Sequence, residues 1–284
     1  MDIKIGSEQY AWVMAGCIDP TDPYYNKVDH MFQVCNKAGF EGFEPIDKFM
    51  FDLYDPGKLG EAVKESGVKL SSVVLLDDWL NPQETDDEKI ASDKLINTIS
   101  NHFPDTVMML CQMPTTRPED DGELSARQNN LISCINAISK RAVDKGVKCS
   151  YHPNSPDTSI WRTDADYKRL LPLLDSSVIK WTPDVGHIAN DKMDPRKLMQ
   201  EYKELINHVH YKDMNEDGSW ALMGEGIIDF EGITQDLVDN GYKGWIIVED
   251  ECPRSETEPD VVTIECGDYS KNNILPIIQK SQSA

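Results

Sequence analysis

Eight apolar runs of strand length, each followed by a segment with helical spacing, constrain this chain more than any other feature of its sequence. They fall at Ile3–Tyr10, Phe40–Pro45, Lys69–Leu76, Thr106–Met113, Val147–Asn154, Val178–His187, Ile206–Asp213 and Lys243–Glu251, with a last helix near Tyr269–Lys280. Strands that alternate with helices are joined by crossovers, and crossovers make a sheet parallel. Asn36-Lys-Ala-Gly39, Lys64-Glu-Ser-Gly67, Val143-Asp-Lys-Gly146 and Val238-Asp-Asn-Gly241 each place a glycine just before a strand, as a left-handed helix stop requires. Eight such strands favour a closed α/β barrel, (β/α)8, over an open sheet. We expect one TIM-barrel domain over residues 1–284.

Composition narrows the function. With 50 acidic and 28 basic side chains the formal charge is −22, which argues against nucleic acid because phosphate binding rests on clustered Lys and Arg. The sequence shows neither a signal peptide nor an apolar run long enough to span a membrane. The seven cysteines are scattered and form no C-x-x-C pair, so they read as buried thiols in a reducing compartment. A cytoplasmic protein, monomer or homo-oligomer, acting on a small neutral substrate that a metal could help to hold, is the expectation.

The loops that follow the strands are longer and more polar than those that precede them: Ala15–Asn26, Asp77–Asp87, Pro114–Glu123, Ser155–Asp164, Met214–Asp229 and Cys252–Asp268. A barrel of this kind builds its active site from those loops and the strand ends beneath them. Alternation along strands puts Ser150, His152 and Asn154 on one face, Lys180, Thr182 and Asp184 on another, His208, His210 and Lys212 on a third, and Glu249 with Glu251 on a fourth. His152, Asp184, His210 and Glu249 then form a mixed nitrogen and oxygen set suited to a divalent ion such as Mn2+, Co2+, Fe2+ or Zn2+. The plain alternative for each is a hydrogen bond or ion pair with no ligand role. Gly224-Glu-Gly226 lacks a phosphate-loop pattern and reads as a tight turn, followed by a helix capped by Asp229.

Four stretches, Trp181-Thr-Pro-Asp-Val-Gly-His187, His208-Val-His-Tyr-Lys-Asp213, Gly224-Glu-Gly-Ile-Ile-Asp-Phe230 and Gly241-Tyr-Lys-Gly-Trp-Ile-Ile-Val-Glu249, resemble the xylose-isomerase-like TIM barrels that include sugar epimerases. Within that superfamily the chain looks most like inosose dehydratase and the lyases that act on 3-keto-glycosides. The resemblance is strong over roughly residues 140–251; before that, mainly Gly39-Phe-Glu-Gly-Phe-Glu44 fits. It implies a divalent cofactor, Mn2+ first and Mg2+ among the other candidates, held by His152, Asp184, His210 and Glu249. Sugar epimerases place a glutamate at the fifth-strand position. Here Tyr151-His-Pro-Asn154 puts His152 there, which raises a dehydratase or lyase above a two-glutamate epimerase.

The implied chemistry is removal of an α-proton from a keto sugar, stabilised as an enediolate, followed by β-elimination. Reprotonation without elimination would make the protein an epimerase or isomerase, and a barrel without metal would make it a non-catalytic sugar binder. His152, Lys212 and Glu249 are the candidate proton carriers. A depressed pKa would let Lys212 act as a base, and an ion pair with Asp184 or Glu249 is its alternative. His187, Glu44 and Arg162 are candidate substrate contacts. Trp12 and Trp161 offer an apolar wall, although loop aromatics usually just pack. His208 lies deeper, where a structural role is expected.

Overall fold

The computed structural model describes residues 3–49 and 55–282, and among these the eight strands close into a TIM barrel. In chain order they are β1 (Ile3–Glu8), β2 (Gly42–Glu44), β3 (Lys69–Leu70 and Ser72–Asp77, interrupted at Ser71), β4 (Val107–Gln112), β5 (Lys148–His152), β6 (Ile179–Trp181), β7 (His208–Tyr211) and β8 (Gly244–Val248). Every pairing between neighbouring barrel strands is parallel. Two arcs, one running from β7 through β8, β1 and β2 to the first half of β3 and the other from the second half of β3 to β6, are joined by isolated bridges. Ile46 meets Val74 on one side, and Trp181 meets Ile206 and Asp184 meets His210 on the other. Register then decides which side chains can meet: His210 pairs Ile247, so Glu249 stands two residues further along β8, and Cys111 pairs His152.

The glycine stops behave as their spacing requires. Gly39, Gly67, Gly146 and Gly241 all have positive φ, between 69° and 85°, the left-handed region that a Cβ disfavours. Two helices begin with a capping box, Thr85 with Glu88 and Thr163 with Asp166. Outward-facing strand residues such as Tyr151, Trp181, Val209 and Tyr211 are buried under the helices in one continuous apolar cluster.

Two boundaries depart from expectation. The sixth strand stops at Trp181, and Val185–Asn190 is helical because Asp184 turns from strand into helix cap, its Oδ1 accepting from the His187 amide at 2.8 Å. The segment after β8 is less loop than its polarity suggests: Pro253–Glu256 is a 3-10 turn and Pro259–Tyr269 an α-helix. Between β7 and the helix Phe230–Asp239 lies a short hairpin, Asp213–Met214 with Trp220–Ala221. Asp213 also organises the turn beyond the hairpin, since its carboxylate accepts from the amides of Gly224, Gly226 and Ile228. Gly226 is required there, because an added Cβ would lie 2.3 Å from Asp213 Oδ1. The expected tight turn and the Asp229 cap, which accepts from the Gly232 amide, are both present.

Candidate active site and metal centre

At the C-terminal ends of the strands lies a cavity of about 360 Å³. His152, His210 and Glu249 reach it from β5, β7 and the end of β8, with Asp184 directly beneath. One potential ligand atom from each of the four lies within 4.8 Å of all the others, and all four residues are buried. His152 Nε2 and Asp184 Oδ2 are 3.5 Å apart, and neither has a hydrogen-bond partner. A buried imidazole nitrogen and a buried carboxylate oxygen left unsatisfied side by side cost stability unless something sits between them. The two nitrogens and two oxygens of this set fit a divalent ion of the Mn, Fe, Co or Zn type.

Charge in the cluster is balanced by protons that a cation would displace. Burial works to lower the pKa of His210, but Glu44 and Glu249 outweigh it and raise it to about 10. Burial and His210 oppose protonation of His152, and its contact with Asp184 helps raise it to about 9. Against burial, His187 and His152 hold the Asp184 carboxyl below its usual range, and Lys212 with His210 does the same for Glu249. Metal ligands must shed such protons, so loading an ion would release them.

Lys212 is only 1% exposed, and its ammonium donates to Glu249 Oε1 at 2.8 Å, to Glu251, and lies 3.1 Å from His187 Nε2. The Trp220 ring covers it at 4.3 Å. Burial opposes this charge, but Glu249, Glu251 and Asp184 prevail and hold the amine well above its ordinary pKa. The expected depressed pKa is therefore corrected: Lys212 is an ion-paired ammonium, and of the two expected partners it is Glu249, not Asp184, that bonds it. His187 lines the cavity with Nδ1 3.2 Å from the Pro153 carbonyl oxygen, and burial lowers its pKa to about 4 despite Asp184.

Other expected contacts lie elsewhere. Glu44 is fully buried and outside the cavity lining: one oxygen is 3.0 Å from His208 Nε2 and the other 2.9 Å from His210 Nε2. It lies behind His210 and away from the cavity, and His208 beside it has no exposed surface. Arg162 does not reach the cavity either, because its guanidinium is bonded twice by Asp191, at 2.6 and 2.9 Å, and once by Asp157. Trp12 donates its indole N–H to Asp260 at 2.8 Å, and Trp161 stacks on Tyr151 with centroids 4.8 Å apart, so both are core residues.

The cavity also recruits residues that were not among the candidate site residues, although alternation had already placed Glu251 on the face of Glu249. Glu8 ends β1 beside Glu249 with Oε2 unpartnered; burial first, then the charges of Glu249 and Glu44, raise its pKa well above normal. Glu251 is raised to about 7, chiefly by burial, with Lys212 opposing. Tyr10, Phe49 and Trp220 supply the aromatic surface. The signal for Glu8 was present, since it is an acidic residue at the C-terminal end of a barrel strand.

Comparison with known proteins rests on this geometry. A family model described as the xylose isomerase-like TIM barrel matches residues 32–265. The chain belongs to the xylose isomerase-like TIM barrel family. Among curated relatives of this family member, an inosose dehydratase of Clostridium beijerinckii is 30% identical over 159 residues, 50% of this chain and 53% of that protein. An inosose dehydratase of Clostridium botulinum is 24% identical over 82% of this chain and 85% of its own length. Several of these matches thus span only about half of the relative's length. Among solved structures, 3-keto-D-glucoside 4-epimerase from E. coli superposes with TM-score 0.70 at 16% identity, covering 95% of this chain and all of that one. The IOLI protein, solved with a binding zinc atom, superposes with TM-score 0.72 at 13% identity, covering 98% and 99%. At such identities the structural likeness establishes the fold.

Proposed function

We propose that this chain is a divalent-metal-dependent lyase that acts on a keto sugar, 3-keto-glycoside or keto cyclitol by α-proton abstraction and β-elimination. The observation that carries this reading is the unsatisfied pair His152 Nε2 and Asp184 Oδ2, converging with His210 and Glu249 under a cavity of sugar-binding size. The dehydratase names of the curated relatives, and the histidine in the fifth-strand position, favour elimination over reprotonation. Bound there, the ion, Mn2+ in our reading, supplies Lewis-acid polarisation of the substrate carbonyl.

The side chains supply the rest. Lys212 lies behind the cavity lining, and the ion pairs of its ammonium with Glu249 and Glu251 hold both carboxylates in place beneath the substrate. His187 Nε2, 3.1 Å from the same ammonium, orients substrate from the neighbouring strand end. Glu249 is the carboxylate placed to take the α-proton, with Lys212 fixing Oε1 and His210 fixing Oε2. In elimination the electron pair of the broken C–H bond forms the new double bond, the bond from the β-carbon to oxygen breaks, and that oxygen leaves with a proton.

The test is product identification. Metal-stripped chain reloaded with Mn2+, Co2+ or Zn2+ is incubated with inosose, a 3-keto-glucoside and free ketoses. An unsaturated product is expected from a keto substrate; isomerised ketose with no eliminated product from any substrate overturns the lyase reading. Asp184→Asn and His210→Ala should lose bound metal and turnover together, whereas Lys212→Met should keep the metal and lose turnover.

A further inference from the structure

The cavity is divided by polarity along the order of the strands. Its lining from β5 to β8 and from the end of β1 holds the charged and imidazole groups, His152, His187, His210, Glu249, Glu251 and Glu8, beside Tyr10, Trp220 and Pro156. Its lining from the ends of β2 to β4 is the reverse. Ile46, Phe49, Val74, Leu76, Met113 and Pro114 face the same space, and among the described lining residues of that arc the remaining side chain is Cys111. Ile46, Val74, Leu76 and Cys111 also pack together with Met109 as a second apolar cluster, separate from the main one between barrel and helices.

A polyhydroxylated ring fits half of such a cavity. Hydroxyls turned toward the β5–β8 arc find carboxylates and imidazoles. Hydroxyls turned toward the β2–β4 arc would be taken from water and, among the described lining residues, would meet apolar side chains, which opposes binding. An apolar substituent on that side reverses the balance, because it leaves water and covers apolar wall. Phe49 and, beside it, the ring of Tyr10 add aromatic surface on which a flat group can stack.

From this division we infer that the substrate is amphipathic: a keto sugar carrying an aromatic aglycone, with the sugar on the β5–β8 arc and the aglycone on the β2–β4 arc. This rests on the keto-sugar reading above and deepens it, selecting aryl 3-keto-glycosides over keto cyclitols.

Kinetics and binding test it together on the full metal-loaded chain. The apparent affinity (1/KM) of the 3-keto form of phenyl β-glucoside, which unlike kcat does not follow the better leaving group directly, is expected to exceed that of the methyl analogue by roughly tenfold to a hundredfold, with inosose below both. Met113→Gln, a partly exposed change of similar volume, should reduce the phenyl-to-methyl ratio, with circular dichroism checking the fold. Equal values for phenyl and methyl substrates, an unchanged ratio in Met113→Gln, or inosose as the best substrate overturns the inference. Calorimetry with two unreactive probes, phenyl β-glucoside and myo-inositol, is independent of turnover. Binding of the phenyl compound over inositol supports the inference even where no keto substrate reacts, an outcome that would overturn the lyase reading alone. Binding of neither probe, or of inositol at least as tightly, overturns the inference itself.

Discussion

Glu44 stands behind the ligand cluster, one oxygen toward His208 and the other toward His210, with Ser72 donating to it as well. With Oε1 2.9 Å from His210 Nε2, its negative charge acts on that imidazole and, in the proposed metal site, would strengthen it as a ligand. Glu44→Gln keeps the volume and loses that charge. Its metal affinity should fall about 10- to 100-fold in a chelator competition, while a role in packing alone would lower the melting temperature and leave the affinity as it was. Asp47 shows a different use of a buried acid. Burial raises its carboxyl to about 6, although the Leu76 amide donates to it at 3.1 Å. Its folded pKa exceeds its unfolded one, so the folded state binds the extra proton, and stability falls as pH rises from about 4 to about 6. Asp47→Asn can still accept from Leu76. Its gain over the parent in urea unfolding should therefore grow across that window to on the order of 1–3 kcal/mol at pH 7. A gain independent of pH would refute the assignment.

Elements of this fold end where a single residue makes them end. Gly39 closes the helix Val28–Ala38 at φ 85°, with open space where a Cβ would go, so conformation and not crowding is what alanine would offend. Gly39→Ala should cost about 1 kcal/mol in urea unfolding with the cavity intact. These stops were legible because a left-handed residue just before a strand leaves a short local signature. The sixth strand was overdrawn for the complementary reason. Apolar Val185 and polar His187 suit either a strand or a helix, and the choice is made by Asp184 turning its carboxylate back onto the His187 amide. Pro259–Tyr269 was hidden because Val261-Val262-Thr263-Ile264 is a β-branched run in a polar segment, and the helix is set by tertiary packing, including Gly267 against the Ala38 carbonyl.

At the scale of the molecule, 50 acids against 28 bases mean that charge repels itself across the surface. Individual ion pairs such as Arg196 with Asp229 and Asp236 weaken with salt, but an excess of 22 negative charges outweighs a few exposed pairs. The melting temperature should rise by a few degrees, roughly, between about 10 and 150 mM salt; a fall would mean that the pairs dominate. Among the described residues, no helix is long and apolar enough to cross a membrane. The barrel was legible from the count and spacing of its strands, and His152, Asp184, His210 and Glu249 from their positions at strand ends. What alternation could not supply was depth and partner. It put Glu44 at the end of β2 without saying that His208, 164 residues away, would turn it inward. The loop after β5 offered Arg162 to the cavity without showing that Asp191 holds it.

Asp184 works in two directions at once. Oδ1 starts the helix that carries His187, and Oδ2 points at the place where a cation fits. In the proposed metal-loaded protein one carboxylate would serve both the helix start and the cation, so Asp184→Asn is expected to disturb the placement of His187 along with metal binding.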